Sequence, residues 1–198
     1  MRARIPTHTV VTEDSPSLED AELAALAQRD LRYFAPLYRR YLNPVYQYCY
    51  RRLGSKEAAE DATSLIFERV LQSLPGYRGG IFRAWLFTIA HHVITDSYRS
   101  LHPQEPLECA TEVEDPGLQP DALVLLADEQ RLLLTMLPLL PGDQRRVMEL
   151  RLTGLPATEV AIILGRTPES VRTLQRRAIV RLQGLLHTSP IAPEVRHA

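Results

Sequence analysis

A short helix, a glycine and a capped second helix follow one another near the C-terminus, between Thr158 and Leu186. The segment TEVAIIL keeps its apolar residues on one helical face, and Gly165 supplies the positive φ that a tight turn needs. Thr167 is a strong N-cap, and Pro168 occupies the first helical position, where a missing N–H is tolerated. This order predicts a helix-turn-helix, in which the second helix lies in the major groove of DNA.

The second helix of this motif separates an apolar stripe from a polar, basic face. Val171, Leu174 and Ala178 recur at helical spacing and are predicted to face inward. Arginine can bind O6 and N7 of guanine together, and Ser or Thr can reach a phosphate or a base edge. A three-helix bundle with a solvated basic face is the alternative. The residues that we expect to contact duplex DNA are Thr167, Ser170, Arg172, Thr173, Arg176 and Arg177.

Helical spacing of apolar residues extends over most of the chain. Three helices are predicted in the N-terminal half, where Gly54 ends the second and Ser55 offers an N-cap for the third. A fourth helix is predicted from Phe82 to Arg99, and further helices from Asp121 to about Leu137 and from Gln144 to Leu152. No stretch has the period-two alternation of a β-strand. We therefore predict an all-α protein.

Polar segments divide the chain into two small helical domains. Residues 1–18 lack periodicity and are predicted to form a disordered tail. Residues 102–121 contain four prolines and six acidic residues, which predicts a flexible acidic linker because such a segment buries too little apolar surface to order itself. The domains then comprise residues 19–101 and 122–187, with a second tail at 188–198.

The formal net charge of −1 conceals an uneven distribution of charge. Residues 22–101 contain 11 basic and 7 acidic residues, and residues 141–186 contain 8 and 4. The balancing acidic residues lie in the N-terminal tail and the linker. Two mildly basic domains suit a protein that meets phosphate at two places, although chance clustering on a solvated surface would give the same counts.

The sequence offers little to support catalysis, a metal site or a membrane location. Cys49 and Cys109 have no close-spaced partner, so we predict no disulfide framework and no cofactor. His91, His92 and Asp96 do not make a metal-ligand pattern, because adjacent helical residues diverge by about 100°, and no nucleophile elbow or phosphate loop occurs. We therefore expect no enzyme. No apolar run approaches the roughly 18 residues of a membrane span, and the N-terminus lacks a signal peptide, so we expect a cytoplasmic protein.

Aromatic and basic residues alternate between Tyr77 and Arg99. Aromatic planes stack on unpaired bases while arginine neutralises the backbone, and an unpaired base can also be flipped into a pocket. This mixture is typical of proteins that hold single-stranded nucleic acid. Trp85 and Phe87 would serve equally well as core residues.

Three segments in order carry a resemblance to a known family: AEDATSLIFERV (59–70), FRAWLFTIAHHVITDSYR (82–99) and LPGDQRRVMELRLTGLPATEVAIILGRTPESVRTLQRRA (140–178). Together they resemble the extracytoplasmic-function sigma factors of bacteria, over about residues 19–187. The resemblance implies that the first domain is sigma region 2, which binds core RNA polymerase and melts the minus-ten promoter element. The second domain would be sigma region 4, which reads the minus-thirty-five element. An anti-sigma factor is the usual further partner of the family.

The resemblance also assigns residues by position. Its implied contacts with the clamp helices of the largest polymerase subunit are Glu60, Asp61, Ser64, Phe67 and Glu68. Its implied minus-ten residues are Tyr77, Arg78, Phe82, Arg83, His92, Asp96 and Arg99. The sequence departs from the family at three places: Ser64-Leu65 replaces its usual Gln-Glu pair, His92 replaces its frequent Asn, and Pro156 stands where the family commonly has a Ser cap. Glu60 and Asp61 would also suit an acidic first turn that balances the helix dipole, and Asp96 and Arg99 could pair with each other.

We therefore predict an alternative sigma factor that binds core polymerase, directs it to specific promoters and performs no covalent chemistry. The alternative is a helix-turn-helix activator whose first domain senses a ligand or a partner. An acidic helix beside an aromatic and basic loop favours the sigma factor, because a sensor needs neither.

Overall fold

The computed structural model describes residues 19–101, 132 and 134–188, and it leaves out the side chains of residues 97–101 and 187–188. Within these ranges the chain is helical and contains no strand, which confirms the predicted all-α class.

The tail predicted at 1–18, the linker predicted at 102–121 and most of the helix predicted at 121–137 lie outside the described residues. Short 3-10 turns occur at Leu31–Tyr33, Leu74–Gly76 and Leu137–Leu139. The α-helices whose bounds are described in full are α1 (Asp20–Ala27), α2 (Phe34–Leu53), α3 (Lys56–Ser73), α4 (Phe82–Leu101), α5 (Gly142–Arg151), α6 (Ala157–Leu164) and α7 (Pro168–Thr188).

Helices α2 and α3 form a tight hairpin at the position that the sequence predicts. Gly54 ends α2 in the left-handed conformation with φ of 72°, a region that favours glycine because it has no Cβ. Its N–H donates to the carbonyl oxygen of Tyr50 at 2.9 Å. Ser55 then caps α3, since its Oγ accepts the N–H of Ala58 at 3.3 Å. Both predictions are confirmed.

The N-terminal domain, α1 to α4, packs around apolar residues that recur along each helix. On α2 the fully buried residues are Leu37, Val45, Tyr48 and Cys49, which lie on the inner face of the helix. Trp85 is only partly buried and packs at the edge of this core. The largest fully buried side chains in this domain are Tyr48, Phe82, Phe87, Leu37, Ile66, Leu74, Leu86 and Ile94.

The C-terminal domain, α5 to α7, contains the predicted helix-turn-helix. Helix α6 begins at Ala157 after Pro156, one residue before the predicted Thr158, and ends at Gly165 with φ of 61°. Thr167 caps α7, because its Oγ1 accepts the N–H of Ser170 at 3.2 Å. The inward stripe is also present: Val171 and Ala178 are fully buried and Leu174 is half-buried.

The two domains pack directly against each other. Helix α6 lies on α4, and α5 lies on the C-terminal part of α2. One apolar core runs through both domains, from Leu37 and Phe87 to Val160 and Val171. The sequence predicts two domains joined by a flexible linker. It does not indicate that the domains pack against each other.

Candidate nucleic-acid and polymerase interfaces

The first candidate surface is the outer face of α7. The six residues predicted to contact duplex DNA lie in its N-terminal half: Thr167, Arg172, Arg176 and Arg177 are exposed, and Ser170 and Thr173 are half-buried. Glu169 on the first turn lies close to this basic face, and Arg172 Nη1 is 3.1 Å from Glu169 Oε1. The predicted residues therefore lie together on one accessible face of α7. The negative charge of Glu169 is paired with Arg172 of the same helix.

Asp143 fixes the turn in front of α7. Its carboxylate accepts from Arg146 at 2.7 Å and from Arg166, the residue after the turn glycine, at 2.6 Å. Partial burial acts to raise the pKa of Asp143, but the two guanidinium groups hold that pKa below its ordinary value. Arg166 is not among the residues that the sequence analysis predicted to contact DNA. Its position next to the turn residue Gly165 was the signal that could have drawn attention to it.

The second candidate surface is built on the loop between α3 and α4. Tyr77, Phe82 and Trp85 form an aromatic cluster with ring centroids 5.0 to 5.7 Å apart. Tyr77 is 7% exposed and Phe82 is 2% exposed. The hydroxyl of Tyr77 donates to the carbonyl oxygen of Gly80 at 2.7 Å. In the described conformation these two predicted contact residues therefore support the loop from inside and offer little surface for a base to stack on.

The tip of this loop is open to solvent. Arg78 is exposed, and Gly79 and Gly80 follow with φ of 88° and 95°, conformations that favour glycine. Arg83, also predicted to meet the promoter, is half-buried, and its guanidinium donates to both carboxylate oxygens of Glu159 in the C-terminal domain, at 2.7 and 2.8 Å.

Helix α4 continues this surface. His92 and Asp96 are both exposed on it. Asp96 Oδ2 lies 3.6 Å from Arg69 Nη1 on α3. The side chain of Arg99 lies outside the described residues.

A recess of about 560 Å³ opens beside the loop. The N-terminus of α1 lines one side with Glu19 and Asp20, and residues 80–82 line another. The Asp20 carboxylate accepts from Tyr41 Oη and from Arg40. Burial, followed by this bond to Asp20, raises the pKa of Tyr41. The recess is thus a polar hollow with a fixed carboxylate, next to the glycines of the loop tip.

The third candidate surface is an apolar groove of about 750 Å³ between α2 and α3. Tyr38 and Phe67 meet edge to face across it, with ring centroids 4.7 Å apart. Tyr38, Leu42 and Leu71 are 40%, 36% and 39% exposed, so large apolar side chains lie partly open to solvent along the groove. The groove is lined by Phe34, Tyr38, Leu42, Asn43, Tyr46, Glu60, Thr63, Ser64, Phe67, Glu68 and Leu71.

The residues that resemblance assigned to polymerase binding mostly surround this groove. Glu60, Ser64 and Glu68 are exposed along its α3 side, and Phe67 forms its floor. Asp61 is exposed on the same helix but does not line the groove. The α2 side, with its exposed tyrosine and leucine, was missed because an apolar stripe on a helix is more often buried core.

Comparison with known proteins identifies the family. The Sigma-70 region 2 family matches residues 37–102, and the Sigma-70, region 4 family matches residues 130–182. The ECF RNA polymerase sigma factor BldN of Streptomyces coelicolor is 36% identical over 187 residues, which cover 90% of this chain and 70% of that relative. This chain belongs to the ECF sigma factors. It is therefore an alternative sigma factor that directs transcription initiation, and the rival interpretation of an activator with a sensing first domain is set aside.

A second relative agrees with this assignment, and two solved structures share the fold. The ECF sigma factor SigD of Mycobacterium tuberculosis is 32% identical over 148 residues, covering 70% of each chain. CnrH, solved in complex with the cytosolic domain of CnrY, shares the fold with a TM-score of 0.69 at 24% identity, covering 86% of this chain and 98% of CnrH. The sigma factor RpoE of Bartonella quintana, solved with the anti-sigma factor NepR, has a TM-score of 0.63 at 20% identity, covering 79% and 98%.

Two negative findings apply to the part of the chain that is described. None of its helices is long and apolar enough to cross a membrane. No three of its His, Cys, Asp and Glu side chains come together as a group that could hold a metal ion.

Proposed function

We propose that this sigma factor contacts core polymerase through the α2–α3 groove and the promoter through the α3–α4 loop and α7. Region 2 then comprises residues 19–101 and region 4 residues 122–187, with residues 102–121 as the linker between them. The chain performs no covalent chemistry itself and acts in the cytoplasm beside the polymerase. The observation that carries this proposal is the separation of one apolar, acid-edged groove from the basic face of α7 and from the open loop tip that carries Arg78.

The groove suits a helix as its occupant. Exposed Tyr38 and Leu42 lie one turn apart on α2 and face Leu71 of α3 across the groove, and Glu60 and Glu68 place negative charge along one edge. An amphipathic helix with basic residues beside its apolar stripe would satisfy both features. The clamp helices of the largest polymerase subunit, implied by the family resemblance, are the occupant that we propose.

Promoter melting is proposed to occur at the loop and α4. Arg78 at the open tip is placed to meet phosphate, and His92 and Asp96 offer polar groups to base edges. Tyr77 and Phe82 shape the loop from below. The recess beside Asp20 has room for one flipped base, whose unstacking would be repaid by contacts within it.

The outer face of α7 is proposed to read the minus-thirty-five element in the major groove. Arg172 and Arg176 lie one turn apart on the exposed side, so they can reach successive base pairs or adjacent phosphates. Arg166, held by Asp143, would add a backbone contact at the start of the helix. Region 4 need not bind tightly alone, because the polymerase-bound region 2 raises its effective concentration at the promoter.

We further propose an anti-sigma factor as a regulatory partner. CnrH and the Bartonella RpoE were both solved as complexes, one with the cytosolic domain of CnrY and one with the anti-sigma factor NepR. The apolar groove of this chain is the surface that such a partner would cover, since Tyr38, Leu42 and Leu71 stay partly exposed along it.

Run-off transcription tests the proposed function. The purified chain is added to core polymerase from its own host, on a template library that carries upstream regions of the host genome. We expect discrete transcripts that core polymerase alone does not produce and that start downstream of a shared pair of sequence elements. The absence of any such transcript, with polymerase shown to be active with its housekeeping sigma factor, would overturn the proposal.

A further inference from the structure

One carboxylate joins two arginines in front of α7. Asp143 Oδ1 accepts from Arg146 Nη2 at 2.7 Å, and Asp143 Oδ2 accepts from Arg166 Nη2 at 2.6 Å. Arg146 lies one turn after Asp143 on α5, whereas Arg166 is 23 positions further along the chain than Asp143. The cluster therefore links the first turn of α5 to the turn that precedes α7.

These three side chains lie at the surface. Arg166, Arg146 and Asp143 are 38%, 39% and 40% exposed. Ion pairs with this much contact with solvent contribute little to folding stability. The cluster contains two positive charges and one negative charge, so its net charge is positive. An accessible cationic cluster of this kind is suited to binding an anion.

The backbone that carries Arg166 is also fixed. The N–H of Arg166 donates to the carbonyl oxygen of Ala161 at 2.9 Å, and the preceding Gly165 has φ of 61°. Thr167, the next residue, caps α7. The early residues of a recognition helix lie at the base edges, and contacts to the neighbouring phosphates set its position. Arg166 therefore lies at the end of α7 where a phosphate contact would position the helix.

Both guanidinium groups keep donors for a further ligand. An arginine side chain has five N–H donors, and the bonds to Asp143 use only Nη2 of Arg146 and of Arg166. The other N–H groups can donate to phosphate oxygens, which match the planar geometry of a guanidinium. Because Asp143 already orders both side chains, less conformational entropy is lost when they bind.

We propose that Asp143 is a positioning residue that presents Arg146 and Arg166 together to one phosphate of the duplex beside the minus-thirty-five element. The inference rests on the proposed role of α7, and it extends the backbone contact of Arg166 to a site of two arginines. The positioning effect of Asp143 opposes its charge, since a carboxylate near DNA repels phosphate. Removing the charge therefore distinguishes the two effects by the sign of the change in affinity.

The affinity of holoenzyme for promoter DNA tests this proposal. Core polymerase is reconstituted with full-length wild type or Asp143→Asn, and binding to a promoter duplex is measured by fluorescence anisotropy over a range of salt concentrations. We expect Asp143→Asn to bind about fivefold more weakly, because two charge-assisted bonds that order the arginines are weakened. The slope of log affinity against log salt should decrease by up to about one. A duplex with a scrambled minus-thirty-five element should show the same fold loss, because a phosphate contact carries no sequence information.

Glu169→Gln is the matched control, because it removes an equal charge from an exposed side chain whose ion pair lies within α7. We expect it to bind the duplex at least as tightly as the wild type does. Arg146→Gln and Arg166→Gln should each weaken binding, and Asp143→Asn should have a smaller effect in the Arg166→Gln background than alone.

Wild-type or tighter binding by Asp143→Asn would overturn the positioning role, as would wild-type affinity of both arginine variants. A wild-type holoenzyme that binds the promoter duplex and the scrambled duplex equally well would instead overturn the proposed reading of the minus-thirty-five element by α7.

Discussion

Gln28 at the end of α1 donates from Nε2 to the carbonyl oxygen of Tyr77 at 2.6 Å, which ties the first helix to the loop before α4. The same nitrogen lies 2.9 Å from the carbonyl oxygen of Leu74. These two bonds join residues that are 46 and 49 positions apart in the chain. The loop that we propose to open the promoter is therefore anchored by a side chain of α1, a helix outside the loop.

Replacing Gln28 with Ala is expected to loosen this loop. Two hydrogen bonds to backbone carbonyls are lost, so we expect the free energy of unfolding to fall by about 1 kcal/mol. Open-complex formation, measured by permanganate reactivity of unpaired thymines, should fall while binding of region 4 to duplex minus-thirty-five DNA is unchanged. Gln183→Ala, an exposed position on α7, serves as control. Unchanged permanganate reactivity in Gln28→Ala would show that the loop does not depend on this tie.

Tyr77 is expected to act through the shape of the loop. Tyr77→Ala removes its packing on Phe82 and Trp85, so promoter melting should decline more than duplex binding. Tyr77→Phe removes only the bond to the Gly80 carbonyl and should have an intermediate effect. The two activities can be compared on a fully duplex promoter and on one with a preformed bubble, where the defect should shrink. An equal loss on both templates would argue against a role in melting.

His91 should make stability depend on pH. Burial, with Arg146 and Arg52 nearby, lowers its pKa to about 4 from an ordinary value of 6.5. Because the unfolded chain binds this proton more readily, the stabilisation is present above pH 6.5 and is lost as pH falls toward 4. Urea unfolding at pH 7 and 4.5 should show a decrease that is up to about 2 kcal/mol smaller in His91→Gln than in the wild type. His92→Gln, at the exposed neighbouring position, should retain the wild-type decrease. Parallel losses in all three proteins would exclude His91 as the cause.

Arg176 is expected to contribute to reading the minus-thirty-five element. Arg176→Ala should weaken binding to the duplex element by about 1 to 3 kcal/mol and reduce discrimination against mismatched sequences. Arg32→Ala, in the 3-10 turn Leu31–Tyr33 of region 2, removes the same charge and should have no such effect. Fluorescence anisotropy with matched and mismatched duplexes measures both quantities. An unchanged preference for the matched duplex would indicate that Arg176 contacts the phosphate backbone and not the bases.

Local chemistry explains why much of region 4 could be predicted. The cap at Thr167 and the positive φ of Gly165 each follow from residues within one turn, and the structure has both. The start of α6 was missed by one residue, because Pro156 stands where a side-chain cap would mark the boundary. Short-range signals therefore identified the helices correctly, but they misplaced the first residue of α6.

Long-range relationships could not be read from such signals. Arg83 and Glu159 are 76 positions apart, and neither lies in a pattern that distinguishes an ion pair from a DNA contact or a solvated charge. Likewise, the aromatic and basic spacing around Tyr77 fits a stacking surface and a core equally well, and only the packing shows the ring to be buried. The α2 side of the groove was missed for the same reason, since Tyr38 and Leu42 stand directly next to the buried positions Leu37 and Tyr41.

Polymerase binding through the α2–α3 groove is tested most directly by measuring the affinity of labelled full-length chain for core polymerase. Leu42→Asp places a charge in the groove at a position that is already 36% exposed, so folding should be retained, as circular dichroism can verify. Leu31→Asp makes the same change at a 63% exposed position outside the groove. We predict that Leu42→Asp weakens binding by at least about tenfold, or 1.4 kcal/mol, while Leu31→Asp binds as the wild type does. Equal affinity of the two folded variants would contradict the groove as the polymerase-binding surface.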